Sequence, residues 1–259
     1  MKSSLTFLGT GASLGVPIIG CNCAVCTSRS PYNRRTRSSA LLKIGDKRFV
    51  IDIGPDFREQ ALFYPITELD GVIITHSHQD HVAGLDDLRV YPFRKQRPLP
   101  LLASSETARD LRNRFGYLFE KRIPEGDIPA LEMVELGSGG GEGKFQGVSF
   151  HYFFYEQMGM KVTGFRFGDL AYVTDIKTYS EALFTPLKGL DTLIVSALRQ
   201  ATAHMHLSVD DALEFGRKAG AKHIYLTHLS HDLDYDAVNR SLPSNVRLAY
   251  DGLEIPFTG

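Results

Sequence analysis

The sequence predicts an α/β fold of the α+β kind, with sheets packed on each other and helices outside. Three observations carry that expectation. Short apolar runs bounded by turn residues dominate the first part of the chain, and later such runs mix with amphipathic segments. A length of 259 residues suits one large domain, read here as 1–259, better than two. A composition 43% hydrophobic and 23% charged is ordinary for a globular chain, so a sizeable core needs no staples.

The strand runs are 5–8, 40–44, 48–52, 71–75, 99–103, 147–154, 164–167, 171–174, 192–196, 223–227 and 247–250. Gly45-Asp46 and Gly168-Asp169 each sit between two such runs and predict hairpins. Residues 106–120 place Leu111, Phe115 and Leu118 near one face, which predicts a helix with a core stripe. Ser208-Val-Asp-Asp211 reads as a capping box and Gly220 as a stop, so 209–219 is a helix. A further helix is expected over 236–242. The glycine-rich stretch 137–144 reads as a flexible surface loop; no helix start follows it that could cradle a phosphate.

Lys+Arg is 29 and Asp+Glu is 30, so a net charge of −1 gives no global field to hold nucleic acid. No apolar run approaches the roughly 20 residues needed to span a bilayer. The opening MKSSLTFLGTGASLG has no apolar signal region, so a cytoplasmic protein is expected. Three cysteines clustered over positions 21–26 make a poor disulfide framework and point to a reducing compartment and a metal.

The strongest signal is Thr75-His-Ser-His-Gln-Asp-His81, directly after an apolar run. Three histidines and one aspartate fall within six residues, combining neutral nitrogen donors with a hard anionic oxygen. A loop leaving a strand end lets such side chains converge. His76-x-His78-x-Asp80-His81 resembles the HxHxDH signature of the metallo-β-lactamase superfamily. That resemblance implies a four-layer αββα sandwich with a two-metal site at one sheet edge.

The same resemblance assigns partners. Asp175 resembles the carboxylate that bridges both metals, and His228 the last ligand of the second. Asp52 resembles an early aspartate that buttresses the site, and is equally readable as a turn residue. One imidazole ligand of the first metal is missing from the pattern. Counting back from Gly164 lands on Gln157, with Glu156 beside it and His151 inside a nearby strand run. Gln157, Glu156 or a water could therefore stand there, and Gln is the weaker ligand.

Gly20-Cys-Asn-Cys-Ala-Val-Cys26 supplies three thiolates at C-x-C-x-x-C spacing. A closed structural zinc site wants four ligands, and three cysteines are one short of the usual iron–sulfur set. His231, three residues after His228, is the best fourth ligand to Cys21, Cys23 and Cys26, giving a structural zinc loop near 20–27. Together with the HxHxDH run, this set is similar to the PhnP-type branch, whose namesake is a cyclic phosphodiesterase of the carbon–phosphorus lyase pathway.

The resemblance thus implies one structural zinc and two divalent catalytic ions, Zn or Mn, that share Asp175 and a bridging hydroxide. Asp80, Asp175 and His206 are the expected catalytic residues, with His206 as general acid to the leaving group and His204 as second choice. Arg34, Arg35 and Arg37 are candidate phosphate contacts, ahead of Arg89 and Arg199. Asp86 and Asp87 read as local structure. The expected substrate is a small cyclic phosphate or nucleotide-like diester. Lactone, thioester or carboxylic ester hydrolysis is the alternative on the same site, and a non-catalytic zinc-binding accessory protein is another. A tRNA-processing role lacks a basic protruding arm, because 120–132 reads as an active-site rim. No membrane or nucleic-acid partner is expected, and a homodimer is one possible assembly.

Overall fold

The computed structural model describes residues 2–120 and 130–259, so the rim expected over 120–132 lies mostly outside the described residues. The first half builds β1 (Lys2–Gly9), β2 (Ser39–Ile44), β3 (Lys47–Ile51), α1 (Phe57–Phe63), β4 (Gly71–Ile73), α2 (Gln79–Val82), α3 (Val90–Lys95), β5 (Leu99–Ser104), α4 (Ser105–Phe119) and β6 (Leu131–Leu136). The second half adds β7 (Gly141–Phe145), β8 (Val148–Gln157), β9 (Met160–Phe167), β10 (Leu170–Val173), β11 (Thr192–Ser196), α5 (Val209–Ala219), β12 (His223–Thr227), α6 (Tyr235–Ser241), β13 (Val246–Leu248) and β14 (Glu254–Thr258).

These strands form two seven-stranded sheets, ordered β14-β1-β2-β3-β4-β5-β6 and β13-β12-β11-β10-β9-β8-β7. Three apolar clusters define the layers. Leu5, Phe7, Phe49 and Ile51 of the first sheet meet Phe165, Phe167, Tyr172 and Ile194 of the second. Outside the first sheet, Val50, Val72 and Leu101 carry Phe57, Val82 and Leu111 of the helices. Outside the second, Leu193, Val195 and Leu226 carry Val209, Phe215 and Val238. The result is the expected αββα sandwich. Each fully buried Phe or Leu contributes about 1.5–3 kcal/mol, so the two-faced sheets are the main source of stability.

The element expectations fare differently by length and by ends. Helix α5 has the predicted bounds, because the Ser208 hydroxyl accepts from the Asp211 N–H, Asp211 returns the bond, and Gly220 closes the helix at φ +69°. The glycine stretch 137–144 is not all loop. Gly141 onward pairs with β8 through the Gln146-Gly147 turn and buries Phe145, so sheet pairing overrides the weak strand preference of glycine. Strands β6 and β14 and the short helices α1, α2 and α3 were not expected. β14 is an edge strand that tolerates Pro256.

The strands β3, β4, β5 and β6 run parallel, as do β10, β11, β12 and β13. The two sheets approach at that rim, where the Thr163 N–H of β9 donates to the Thr75 carbonyl beyond β4 at 2.9 Å. Open α/β sheets bind ligands outside the carboxyl ends of their strands, and this rim is where the histidines gather.

Candidate metal centre

Five strand ends supply the centre. Asp52 follows β3, Thr75 and His76 follow β4, Gln157 ends β8, Thr174 and Asp175 follow β10, and His228 follows β12. His78 caps α2, so Asp80 and His81 stand on a short helical turn rather than on a plain loop, and that turn carries His81 into the interior. Asp52, Asp175 and His228 hold φ at +62°, +55° and +57°, a left-handed backbone that swings each side chain off its strand toward the others.

Asp52 accepts from the Thr75 N–H and hydroxyl, both at 2.8 Å, and faces His81 Nδ1 at 2.7 Å. The Thr75 hydroxyl also lies 2.9 Å from His76 Nδ1. Donation of both Nδ1 protons toward this network leaves the Nε2 lone pairs of His76 and His81 for the centre. His76 Nε2 lies 3.0 Å from His78 Nδ1.

Asp175 is the hub. One oxygen lies 3.2 Å from His81 Nε2; the other lies 3.3 Å from His228 Nε2 and 3.5 Å from His206 Nδ1. Asp80 faces His228 Nε2 at 3.4 Å and His81 Nε2 at 3.5 Å. The Thr174 hydroxyl donates to Asp175 at 2.7 Å.

The electrostatics express this crowding. Burial raises the Asp175 carboxyl, but the His228 and His81 rings outweigh it and hold its pKa well below the usual range. Asp80 is depressed in the same way, burial being overcome by its bonds to His228 and His81. Burial opposes charge on His81, yet Asp175 and Asp52 hold its pKa well above the ordinary value. Burial and then the His81 charge push His76 down, and burial followed by His228 pushes His206 down to about 4.

These residues fit divalent cations. His81 Nε2 is fully buried with no hydrogen bond, although it faces two carboxylates. With Nδ1–H given to Asp52, Nε2 meets only anionic oxygens, so either a proton or a metal cation must stand between them, and the donor set suits the latter. Donor atoms of His76, His81 and Asp175 form one group within 4.8 Å of one another, and those of Asp80, His81 and His228 form a second.

Gln157, rather than Glu156 or His151, faces this centre. Its amide nitrogen lies 3.3 Å from Asp175 and 3.1–3.2 Å from both ring nitrogens of His206, and its carbonyl oxygen is buried without a partner. Glu156 and His151 are exposed, the latter facing Glu142 at 3.9 Å. His206 is buried and stacks on His228 with centroids 4.7 Å apart, whereas His204 is exposed.

The cysteine cluster is a separate centre. His231 Nδ1 lies 3.3 Å from Cys21 Sγ and 3.5 Å from those of Cys23 and Cys26. These spacings match the edges of a zinc tetrahedron, about 3.6 Å for the usual Zn–S and Zn–N bond lengths. The Cys26 N–H on its sulfur brings the Cys23 thiol down to about 6, while burial pushes Cys26 up to about 11.

The arginine run departs from expectation. Arg35 is buried, and its guanidinium donates to the carbonyls of Ser230 at 2.8 Å and Leu233 at 2.6 Å and to the Asn33 side chain at 3.3 Å. It braces the His231 loop and has no face for substrate. Arg37 is tied to Asp56 at 2.9 Å, and Arg34 is exposed. Arg89 pairs with Asp86 at 3.5 Å, in the turn of local structure expected for Asp86 and Asp87. Arg114 of α4, which the sequence reading missed, donates to the Ser77 carbonyl between His76 and His78 and pairs with Asp110 at 2.8 Å. The hydroxyls of Thr75 and Thr174 were also missed, although each directly precedes a residue of the centre, His76 and Asp175.

Comparison with known proteins agrees with this geometry. Residues 47–229 match the β-lactamase superfamily domain. The crystal structure of a diphosphatase of the PhnP family superposes with a TM-score of 0.91 at 38% identity, covering 99% of this chain and 98% of that one. An octanoyltransferase of Porphyromonas gingivalis is 36% identical over 253 residues, 95% of this chain and 50% of that protein. The short form of human tRNase Z shares the fold at 20% identity, with a TM-score of 0.69 over 97% of this chain and 98% of that one. The chain spans about half the length, or less, of the curated relatives it matches first. It belongs to the metallo-β-lactamase superfamily of metal-dependent hydrolases, in its PhnP-like branch. Among the described residues, no helix is long and apolar enough to cross a membrane.

Proposed function

We propose that the chain is a phosphodiesterase acting on a small phosphodiester or diphosphate with two divalent cations, Zn or Mn, and that a third ion, zinc, holds the cysteine loop. The observation that carries this reading is Asp175, whose two oxygens face His81 and His228 on opposite sides within 3.3 Å. The PhnP-family diphosphatase supports the choice of phosphorus over carbon. When bound, the cation pair would supply a water of lowered pKa and neutralise the non-bridging oxygens of the ester.

The chain's own residues do the rest. His76, His78, Gln157 and Asp175 would hold one ion, and Asp80, His81, Asp175 and His228 the other. Asp52 locks the ring of His81 directly and that of His76 through Thr75. His206 stands beside Asp175, where it would give a proton to the departing oxygen. Burial and then the His228 ring push its pKa down to about 4, and an anionic substrate beside it would raise it toward that role.

Elemental analysis of purified protein, with bis-p-nitrophenyl phosphate assayed in added Mn or Zn, tests the reading. About three metals per chain with diesterase turnover is the expected result. A single zinc and no turnover would turn the reading toward an accessory zinc protein.

The Porphyromonas gingivalis relative favours a second reading, hydrolysis of a carboxylic ester or thioester on the same centre. Its name describes a protein twice as long, so the acyl chemistry can belong to either half. Turnover of p-nitrophenyl octanoate well above that of the phosphodiester would select it.

A further inference from the structure

Of the expected phosphate contacts, Arg35 is removed from the substrate and Arg37 is held by Asp56, which leaves the exposed Arg34. The cations near the centre differ in what already neutralises them. Arg114 is paired with Asp110. Arg199 is half-buried and, like Lys177, has no carboxylate partner among the described residues; it is turned into its own loop, on the Thr202 carbonyl at 3.3 Å. Lys177 differs from Arg199 in its position, on the backbone of His206. It lies two residues beyond Asp175, is half-buried, and its ammonium donates to the His206 carbonyl at 3.2 Å. Among the described residues no carboxylate pairs with it. Its backbone N–H is tied to the Glu156 carbonyl at 3.1 Å, next to Gln157, so the side chain leaves from a fixed point on the wall of the centre.

We infer that Lys177 is the substrate's anion contact, donating to a phosphate oxygen on the His206 side, where the leaving group departs. An ammonium has three donors, and the His206 carbonyl takes one, leaving two for an anion. A half-buried cation without a counter-charge favours an anion entering beside it over a neutral group. The inference rests on the phosphoesterase reading and narrows it. The substrate carries negative charge on the leaving-group side, as a diphosphate does, and neutral lactones and carboxylic esters gain nothing from this residue.

The test uses the metal-loaded full chain, with inorganic phosphate titrated by calorimetry into wild type, Lys177→Met and Lys177→Arg. Phosphate affinity should fall about tenfold in the Met variant and recover in the Arg variant, in line with a charge-assisted hydrogen bond. The KM for a diphosphate diester should rise in parallel, with kcat changed less. Unchanged phosphate affinity in Lys177→Met overturns the inference. So does a fall in kcat alone, which would mean that Lys177 merely positions His206. Should the Met variant melt early, Lys177→Gln carries the same titration. Because phosphate binding needs no turnover, a wild type inactive on diesters would defeat the phosphodiesterase reading while this titration still decided Lys177.

Discussion

Asp175→Asn keeps the shape of the hub and removes its charge. Activity should fall by more than about a hundredfold while the chain stays folded, because shape and packing persist. An active variant would remove Asp175 from the bridging position. His206→Ala should cut turnover of diesters with poor leaving groups far more than of nitrophenyl esters; equal losses would remove its role as acid. Asp251 offers a stability test away from the centre. It accepts from the backbone N–H and hydroxyl of both Thr10 and Thr36, and burial pushes its carboxyl from the ordinary 3.8 up to about 6. A pKa raised on folding contributes stability that is full below about 4 and is lost as pH rises through about 6. The melting difference between wild type and Asp251→Asn should therefore be larger at pH 5 than at pH 8. At this scale the HxHxDH run, Asp175 and His228 are legible because donor type and strand-end position coincide. Arg35 misled because an arginine near a loop looks the same in sequence whether it faces solvent or braces carbonyls.

Among the elements, the segment from β12 to α6 joins the two centres. His228 points into one, and His231, one turn of chain later, into the other. Its backbone is pinned by Leu229 N–H on the Thr10 carbonyl at 2.8 Å and by Arg35 on two further carbonyls. Cys23→Ser should release tightly held zinc, lower the melting temperature and reduce activity through the displaced His228; unchanged zinc content would reject the structural site. The hairpin between β9 and β10 is equally exposed to a single change. A Cβ on Gly168 would stand 1.8 Å from the Thr258 carbonyl at φ +56°, so Gly168→Ala should lower the melting temperature measurably. Elements were legible where local chemistry was complete, as in α5 with cap and stop. The short helices α1, α2 and α3 carry too few turns to show a period, and β7 exists because β8 offers it a partner.

On the scale of the whole molecule, packed sheets with helices outside were readable from the strand pattern and the αββα order from the resemblance carried by the HxHxDH run, whereas the meeting of both sheets at one rim depends on pairing order, which no local pattern encodes. That meeting makes the centre a joint product of the two halves. Chelation should therefore act beyond catalysis. Stripping the ions leaves buried carboxylates and imidazoles facing one another, so the unfolding temperature should fall on exhaustive chelation and recover on adding Mn or Zn. No shift with metal would show that the centre binds none.

The left-handed backbone at Asp52, Asp175 and His228 restricts the vocabulary of this site before any ion arrives. Outside glycine, that conformation is most at home with Asn, Asp and His, and two of these are also good metal donors. A Glu or Cys placed there would bring suitable donor atoms on an ill-suited chain, at about 1–3 kcal/mol of strain for each position. Drift at these three positions is thereby confined to a few letters, and variation is left to side chains such as Lys177 and Gln157 around them.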